Sequence, residues 1–222
     1  EVTAGFMWQK TTRESKKYQL RGEILSFIPV EKNVEVMLVT ITNTGRMAQT
    51  VTPTAAIPLY GRSADNIRDH RHVTSLLHRI ETTDIGVLGT PTLSFDERGH
   101  QVNHMTYYCV GWSGNGEKPV DFYPTAEDFV GEGGNFERPY AIVKNAEGVK
   151  AGTRIEGLEA VGGLHFSEVT LEPEEECSYL IFTGITEDIQ EIRNLSKTYT
   201  TREMVLEELE KTKAYWQEKG NV

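Results

Sequence analysis

An all-β sandwich closed by one amphipathic helix is the fold this sequence predicts, and three observations predict it. Short β-capable runs recur along the chain, each bounded by turn residues. One of them, Val34 to Thr42, carries apolar side chains on both faces, which requires a layer on each side of the sheet. Helical periodicity is nearly confined to the last 23 residues, and no βαβ alternation suggests a doubly wound fold.

The elements follow in order. Glu1 to Lys17 is weakly patterned, with Phe6, Met7 and Trp8 forming a strand or an arm docked on something larger. Gln19 to Ile28 is a short β-capable run closed by Pro29. In the central run, Val34, Val36 and Leu38 share one face and Met37, Val39 and Ile41 the other. A turn at Asn43 to Gly45 follows, and Gln49 to Pro53 begins the next strand. Ile85 to Phe95, Val102 to Val110, Gly162 to Leu171 and Ser178 to Ile185 are further strands. At the end, Thr200 with Glu203 fits a capping box, after which Val205, Leu206, Leu209 and Trp216 recur at helical spacing. That helix either lies across the sandwich or leads into a following domain.

Composition excludes several functions. With 222 residues the chain can bury a core without disulfide or metal staples. Cys109 and Cys177 have no metal-ligand or CxxC spacing, so they read as buried thiols in a reducing, cytoplasmic compartment. A formal charge of −10 argues against nucleic acid as partner. No run of about 18 apolar residues predicts a membrane span, and the first ten residues lack the pattern of a secretory signal. Since the chain opens on Glu1, it reads as a processed product or an internal piece.

Two stretches carry candidate chemistry. TAAIPLYGRSADNIRDHRHVTSLLHRI, from Thr54 to Ile80, gathers Arg62, Arg68, His70, Arg71, His72, His78 and Arg79 against Asp65 and Asp69. The His70-x-His72 spacing would put two imidazoles on one side of a strand, but a third ligand, His78 or His104, could be supplied only through folding. The neighbouring arginines would also repel a cation, so we expect no metal. Between Tyr107 and Tyr140 lie eight of the 20 aromatics, with a high density of glycine. Flat aromatic faces on a loop framework suit sugars, although the same rings could simply pack loops onto the sandwich.

Catalytic patterns are weak. Ser63 and Ser75 lie in no GxSxG setting, and Gly131 to Gly134 lacks the lysine of a phosphate loop. Glu127, Asp128, Glu132 and Glu137 could supply a carboxylate pair for glycoside hydrolysis, but 33 acids make such proximity common. Arginines and histidines beside an aromatic loop region point best to carbohydrate recognition.

The residues also resemble a family. VEVMLVTITNTG, Val34 to Gly45, is similar to a strand and turn in the sandwich domain of inverting glycoside phosphorylases of the cellobiose phosphorylase type, glycoside hydrolase family 94. The Thr54 to Ile80 stretch and DFYPTAEDFVGEGGNFERP, Asp121 to Pro139, resemble its 1,2-β-oligoglucan phosphorylase branch. TTREMVLEELEKTKAYW, from Thr200, resembles the linker helix to the catalytic domain.

The resemblance implies a large two-sheet supersandwich, akin to galactose mutarotase, over residues 1–199, and a linker helix over 200–219. It implies that the catalytic α/α barrel is absent from this chain, so no catalytic residue is assigned. The expected partners are a β-glucan oligosaccharide or glucoside, a downstream α/α-barrel domain, and a second copy in a homodimer of the parent enzyme. No cofactor is expected, only inorganic phosphate as co-substrate. Candidate sugar-binding or domain-interface residues are Arg68, His70, Arg71, His72, Tyr107, Trp112, Phe136 and Arg138. Two other expectations remain open: an autonomous carbohydrate-binding module, and a mutarotase-like epimerase using a His and a Glu as acid and base.

Overall fold

The computed structural model describes residues 1–61, 75–96 and 99–220. The chain opens on a hairpin of β1 (Val2–Gly5) and β2 (Trp8–Ser15), then passes through β3 (Leu20–Phe27), β4 (Val34–Asn43), β5 (Gln49–Val51) and β6 (Thr54–Pro58). Next come β7 (His78–Thr82), β8 (Gly86–Pro91), β9 (Leu93–Asp96), β10 (Gly99–Val102), β11 (Thr106–Ser113) and β12 (Asp121–Thr125). Two short helices, α1 (Ala126–Val130) and α2 (Tyr140–Lys144), precede β13 (Arg154–Glu156), β14 (Ala160–His165), β15 (Val169–Leu171) and β16 (Glu176–Thr186). Helices α3 (Ile189–Thr198) and α4 (Arg202–Gly220) close the described chain.

Nine strands form one antiparallel sheet in the order β1-β2-β3-β4-β16-β11-β8-β7-β13. A three-stranded sheet, β12-β14-β6, lies over part of it, with β14 above β8 and β11. Two-stranded ribbons pair β15 with β5 and β10 with β9. This is the mostly β, large-sheet architecture the strand pattern predicts.

Strand β4 shows why the large sheet needs two covers. Its even positions Val34, Val36 and Leu38 join Leu180, Phe182, Val110 and Trp112 in a core closed by Ile192, Leu195, Tyr199, Val205 and Leu209 of the C-terminal helical segment. Its odd positions Met37, Val39 and Ile41 face the second core, with Cys109, Ile181, Leu164 and Phe122 between the two sheets. A third, small core lies on the far side of β14, where Tyr123, Phe129, Ala141 and Val161 pack beneath α1 and α2. The layers are therefore helix, large sheet, small sheet, helix.

The two covers are held differently. On the helical side, the Trp112 and Phe182 rings stack at 4.8 Å, and Phe182 and Tyr199 at 5.4 Å. The Trp112 indole Nε1–H donates to the Tyr199 carbonyl at 2.9 Å. Lys32 donates to the Tyr199 hydroxyl at 2.6 Å and sits over its ring. Between the sheets, contact depends on glycine. A Cβ on Gly162 would lie 2.1 Å from the Cys109 Cβ, so β14 can approach β11 this closely only without a side chain there.

Several boundaries differ from the sequence reading. The run Ile85 to Phe95 divides into β8 and β9, and Gly162 to Leu171 divides into β14 and β15. Strand β11 starts at Thr106 and ends at Ser113, later than expected. Helix α3 falls inside the span assigned to the sandwich. Its Asp188 cap, which accepts from Gln190 N–H at 2.9 Å, and its buried Ile192 and Leu195 form a short amphipathic pattern separated from the preceding strand by only two residues. For α4 the capping residue is Thr201 rather than Thr200, since the Met204 N–H reaches the Thr201 Oγ1. Val205, Leu209 and Thr212 are its buried positions, and Trp216 is only half-buried.

Candidate functional site

A small pocket opens where β6 leaves the three-stranded sheet. Leu59 extends the ladder by donating its N–H to the Ala160 carbonyl at 2.9 Å, and the chain then turns through Tyr60 and Gly61. Gly61 is pressed against β7 and β8: a Cβ there would lie 2.7 Å from Pro91 Cγ and 3.2 Å from His78 Nε2. The cavity of about 20 Å³ is lined by Pro58, Tyr60, Ser75, His78, Phe136 and Glu159, among others. It has room for about one water or one hydroxyl group.

His78 is the chemical centre of this pocket. It starts β7 and is 5% exposed, on the same strand face as buried Ile80. Among the described residues neither ring nitrogen has a partner at full hydrogen-bond geometry, although backbone groups of Gly61 and Leu158 lie within reach of the ring. Burial lowers its pKa from the ordinary 6.5, opposed by the nearby backbone of Gly61 and Leu158 and by the Glu159 carboxylate. At neutral pH the imidazole is therefore uncharged, offering one donor and one acceptor to a neutral polar group.

The mouth is apolar and open. Tyr60 and Phe136 line the pocket yet are 56% and 48% exposed, and Leu76 and Leu158 nearby are also exposed. Phe136 is backed by Phe129, with ring centroids 5.8 Å apart. Phe129 is fixed in turn by α1, whose Thr125 cap accepts from Asp128 N–H at 3.0 Å. Gly131 ends α1 with φ 79°, and a Cβ there would meet Tyr140 at 2.7 Å. Among the described residues the lining contains no Lys or Arg. A half-exposed aromatic face above a neutral hydrogen-bonding group suits a hydroxylated ring better than a phosphate.

The sequence-predicted residues are scattered relative to this pocket. Arg68, His70, Arg71 and His72 lie outside the described residues. Phe136 lines the pocket. Arg138 is exposed on the same loop, where its backbone N–H donates to Asn135 Oδ1 at 3.1 Å. Tyr107 and Trp112 stand on opposite faces of β11, because they are an odd number of residues apart. Trp112 is 3% exposed and packed against Phe182, so its ring has no free face for a sugar; it anchors the C-terminal helical segment instead. Tyr107 is half-buried, and burial raises its pKa.

The sequence reading did not single out Tyr60 or Glu159, weighed Ser75 only as a nucleophile and set it aside, and treated His78 as one member of a basic cluster. The available signal was the alternation of His78 and Ile80, which puts the imidazole on the buried face of β7.

Other candidate chemistry resolves as follows. Glu127, Asp128 and Glu132 line a separate hollow of about 340 Å³ with Tyr123 and Tyr140, and Asp128 accepts from Thr125 Oγ1 at 2.7 Å. Asp121 and His165 are paired at 2.7 Å between β12 and β14. Among the described residues no group of three or more His, Cys, Asp or Glu could hold a metal. Cys109 and Cys177 are unpaired, and burial pushes the Cys109 thiol up to about 12, which makes it a poor nucleophile. No helix among the described residues is long and apolar enough to cross a membrane.

Comparison with known proteins bears on identity. No curated protein sequence matches the chain. Among solved structures, a polysaccharide lyase superposes with a TM-score of 0.41 at 11% identity, over 83% of this chain and 22% of that one. The chain thus spans about a fifth of that protein's length. The family described as "Glycosyl hydrolase 94, supersandwich domain" matches residues 1–202. By that match, which takes in every strand and the two helices of the aromatic loop region, this chain belongs to the glycosyl hydrolase 94 supersandwich family.

Proposed function

We propose that this chain is the N-terminal, carbohydrate-associated domain of an inverting glycoside phosphorylase that cleaves β-glucosidic bonds with inorganic phosphate, in the 1,2-β-oligoglucan branch of the family. In this reading it acts in the cytoplasm, consistent with its two unpaired cysteines. Its His78 pocket lines the acceptor side of a site completed by an α/α-barrel domain, within a homodimer of the parent enzyme. The observation that supports it most is the half-exposed Phe136 and Tyr60 pair over a buried neutral imidazole, within a domain whose family match spans residues 1–202. The ring stacks on Phe136, and one hydroxyl enters the cavity to meet His78.

Two measurements test this. In the parent enzyme, glucose 1-phosphate should form from β-1,2-gluco-oligosaccharides only when phosphate is present. Phe136→Ala should weaken acceptor binding about tenfold, as loss of an exposed stacking face predicts, with folding stability changed by no more than about 0.5 kcal/mol. Release of free glucose without phosphate would point to a hydrolase instead. If the isolated chain bound β-1,2-gluco-oligosaccharides at micromolar concentration, the autonomous binding-module reading would replace a lining role.

A further inference from the structure

The helical face of the large sheet carries a second hollow, on the opposite side of that sheet from the His78 pocket. It has a volume of about 290 Å³ and lies between α3 and the loop that leads into β4. Val34, Leu195 and the Tyr199 ring form its buried floor, and the exposed Asn33, Glu191 and Asn194 stand at its rim.

Tyr108 is the polar group at its base. This side chain lines the hollow and is 4% exposed. Its hydroxyl has a place only because Gly184, its partner across β11 and β16, has no side chain. A Cβ there would lie 2.4 Å from that hydroxyl and 2.6 Å from the Asn33 carbonyl. The tip of Tyr108 is therefore the part that meets the hollow, beside Asn33 and within the field of the Glu191 carboxylate. Among the described residues the hydroxyl makes no hydrogen bond. Burial and Glu191 push its pKa up to about 12, which keeps it a donor at neutral pH. A buried donor without an acceptor is costly, and a ligand oxygen would satisfy it.

The charges around the hollow select a neutral ligand. Lys32 lines it, but this ammonium donates to the Tyr199 hydroxyl at 2.6 Å, lies 4.0 Å from Glu208, and shares the lining with Glu31 and Glu191. An anion would meet two carboxylates, and a cation would meet the ammonium. Glu191 accepts from Thr186 Oγ1 at 2.6 Å through one oxygen, which leaves the other as an acceptor. Donor and acceptor thus stand side by side, as an alcohol group requires of its binding site. A peptide strand fits less well, because β4 is already paired with β3 and β16 and offers no edge. The volume is at the lower end of ligand pockets, which begin at about 300 Å³, so it suits one sugar ring rather than a chain.

We propose that this hollow is a second carbohydrate site: it takes one neutral, hydroxylated ring, with one hydroxyl accepting from Tyr108 and donating to Glu191 while the Asn33 and Asn194 side-chain amides bind its neighbours. The site is distinct from the His78 pocket and does not depend on the role given to that pocket.

The test titrates methyl β-glucoside to high millimolar concentration while the amide resonances of the chain are followed. The expected result is saturable shifts centred on Asn33, Val34, Asn194 and Tyr199, with a millimolar dissociation constant. Tyr108→Phe removes only the hydroxyl and should weaken this binding about tenfold, the loss of one buried hydrogen bond. Its resistance to urea should not fall, because in the free protein the lost donor had no partner to strand. Asn194→Ala, at an exposed position, should weaken binding at least about threefold. Undiminished binding in both variants would overturn the site, as would the absence of shifts at these amides. Shifts confined to the neighbourhood of Tyr60 and Phe136 would overturn it and leave the reading of the His78 pocket standing. Equal shifts at the same amides with a capped, uncharged dipeptide would overturn the assignment to carbohydrate.

Discussion

The two faces of the large sheet bury comparable apolar side chains but are sealed by opposite means. On the helical face, large rings interlock: Trp112, Phe182 and Tyr199 form one stack, tied by the indole hydrogen bond and by Lys32. On the sheet-facing side, backbones approach each other because side chains are missing, as at Gly162 against Cys109. A helix can shift and rotate to fit bulky side chains, so the rings there pack without glycine. A short sheet on a longer one cannot cover it fully, so the His78 pocket and a cleft of about 280 Å³ beside β6 fall on that side, while a hollow of about 290 Å³ lined by Val34, Tyr108, Leu195 and Tyr199 remains on the helical face. The difference teaches that one sheet can be sealed by bulk on one face and by the absence of side chains on the other.

The largest expected effect tests the sealed face. Phe182→Ala removes a fully buried ring between two others, and chemical denaturation should show a loss of about 3–5 kcal/mol. On the other face the failure should be of the opposite kind. Gly162→Ala overfills a contact and should cost about 3 kcal/mol, and pairing it with Cys109→Gly should cost less than the two single changes added together. Additive costs would show that the sheets can move apart and that the contrast drawn here is too sharp.

A smaller effect concerns the latch between the sheet and its helices. Trp112→Phe keeps most of the ring but leaves the Tyr199 carbonyl without its donor, at a cost of about 1–2 kcal/mol. The smallest separates the pocket from the core by pH. Burial depresses the His78 pKa, so the unfolded chain takes up the proton more readily than the folded one. The stability this confers is complete above the ordinary value of 6.5 and is lost as pH falls below it toward the depressed folded value. Urea titrations at a series of pH values should show this acid-side decline in the native protein and a shallower one in His78→Leu. Identical pH profiles would mean that His78 is not the group being titrated.

Much of the sheet was legible in the sequence because burial on two sides leaves a two-sided apolar pattern, as Val34 to Asn43 does. The helix from Arg202 to Gly220 was legible from its cap and spacing, one residue out of register at the cap. Helix α3 was not, because only two residues separate it from β16 and its ten residues bury only Ile192 and Leu195. The site was legible only as an aromatic neighbourhood. Phe136 belongs to it, whereas Trp112, equally aromatic and 24 residues earlier, is consumed by the core. Strand parity and the position of β11 in the middle of the sheet made that distinction, and neither is visible in residue type.

By itself the sequence determined the strand-rich architecture, the double-sided central strand, the closing helix and the absence of a disulfide framework, since periodicity, capping chemistry and cysteine spacing are local properties. Only the tertiary structure decided which face each aromatic serves, that nine strands lie against three, and that His78 is a neutral, enclosed imidazole rather than part of a basic surface. These depend on contacts between residues far apart in the chain, such as Gly61 with His78 and Gly162 with Cys109. Such contacts set burial, and burial decides whether an ionisable or aromatic side chain is structure or site.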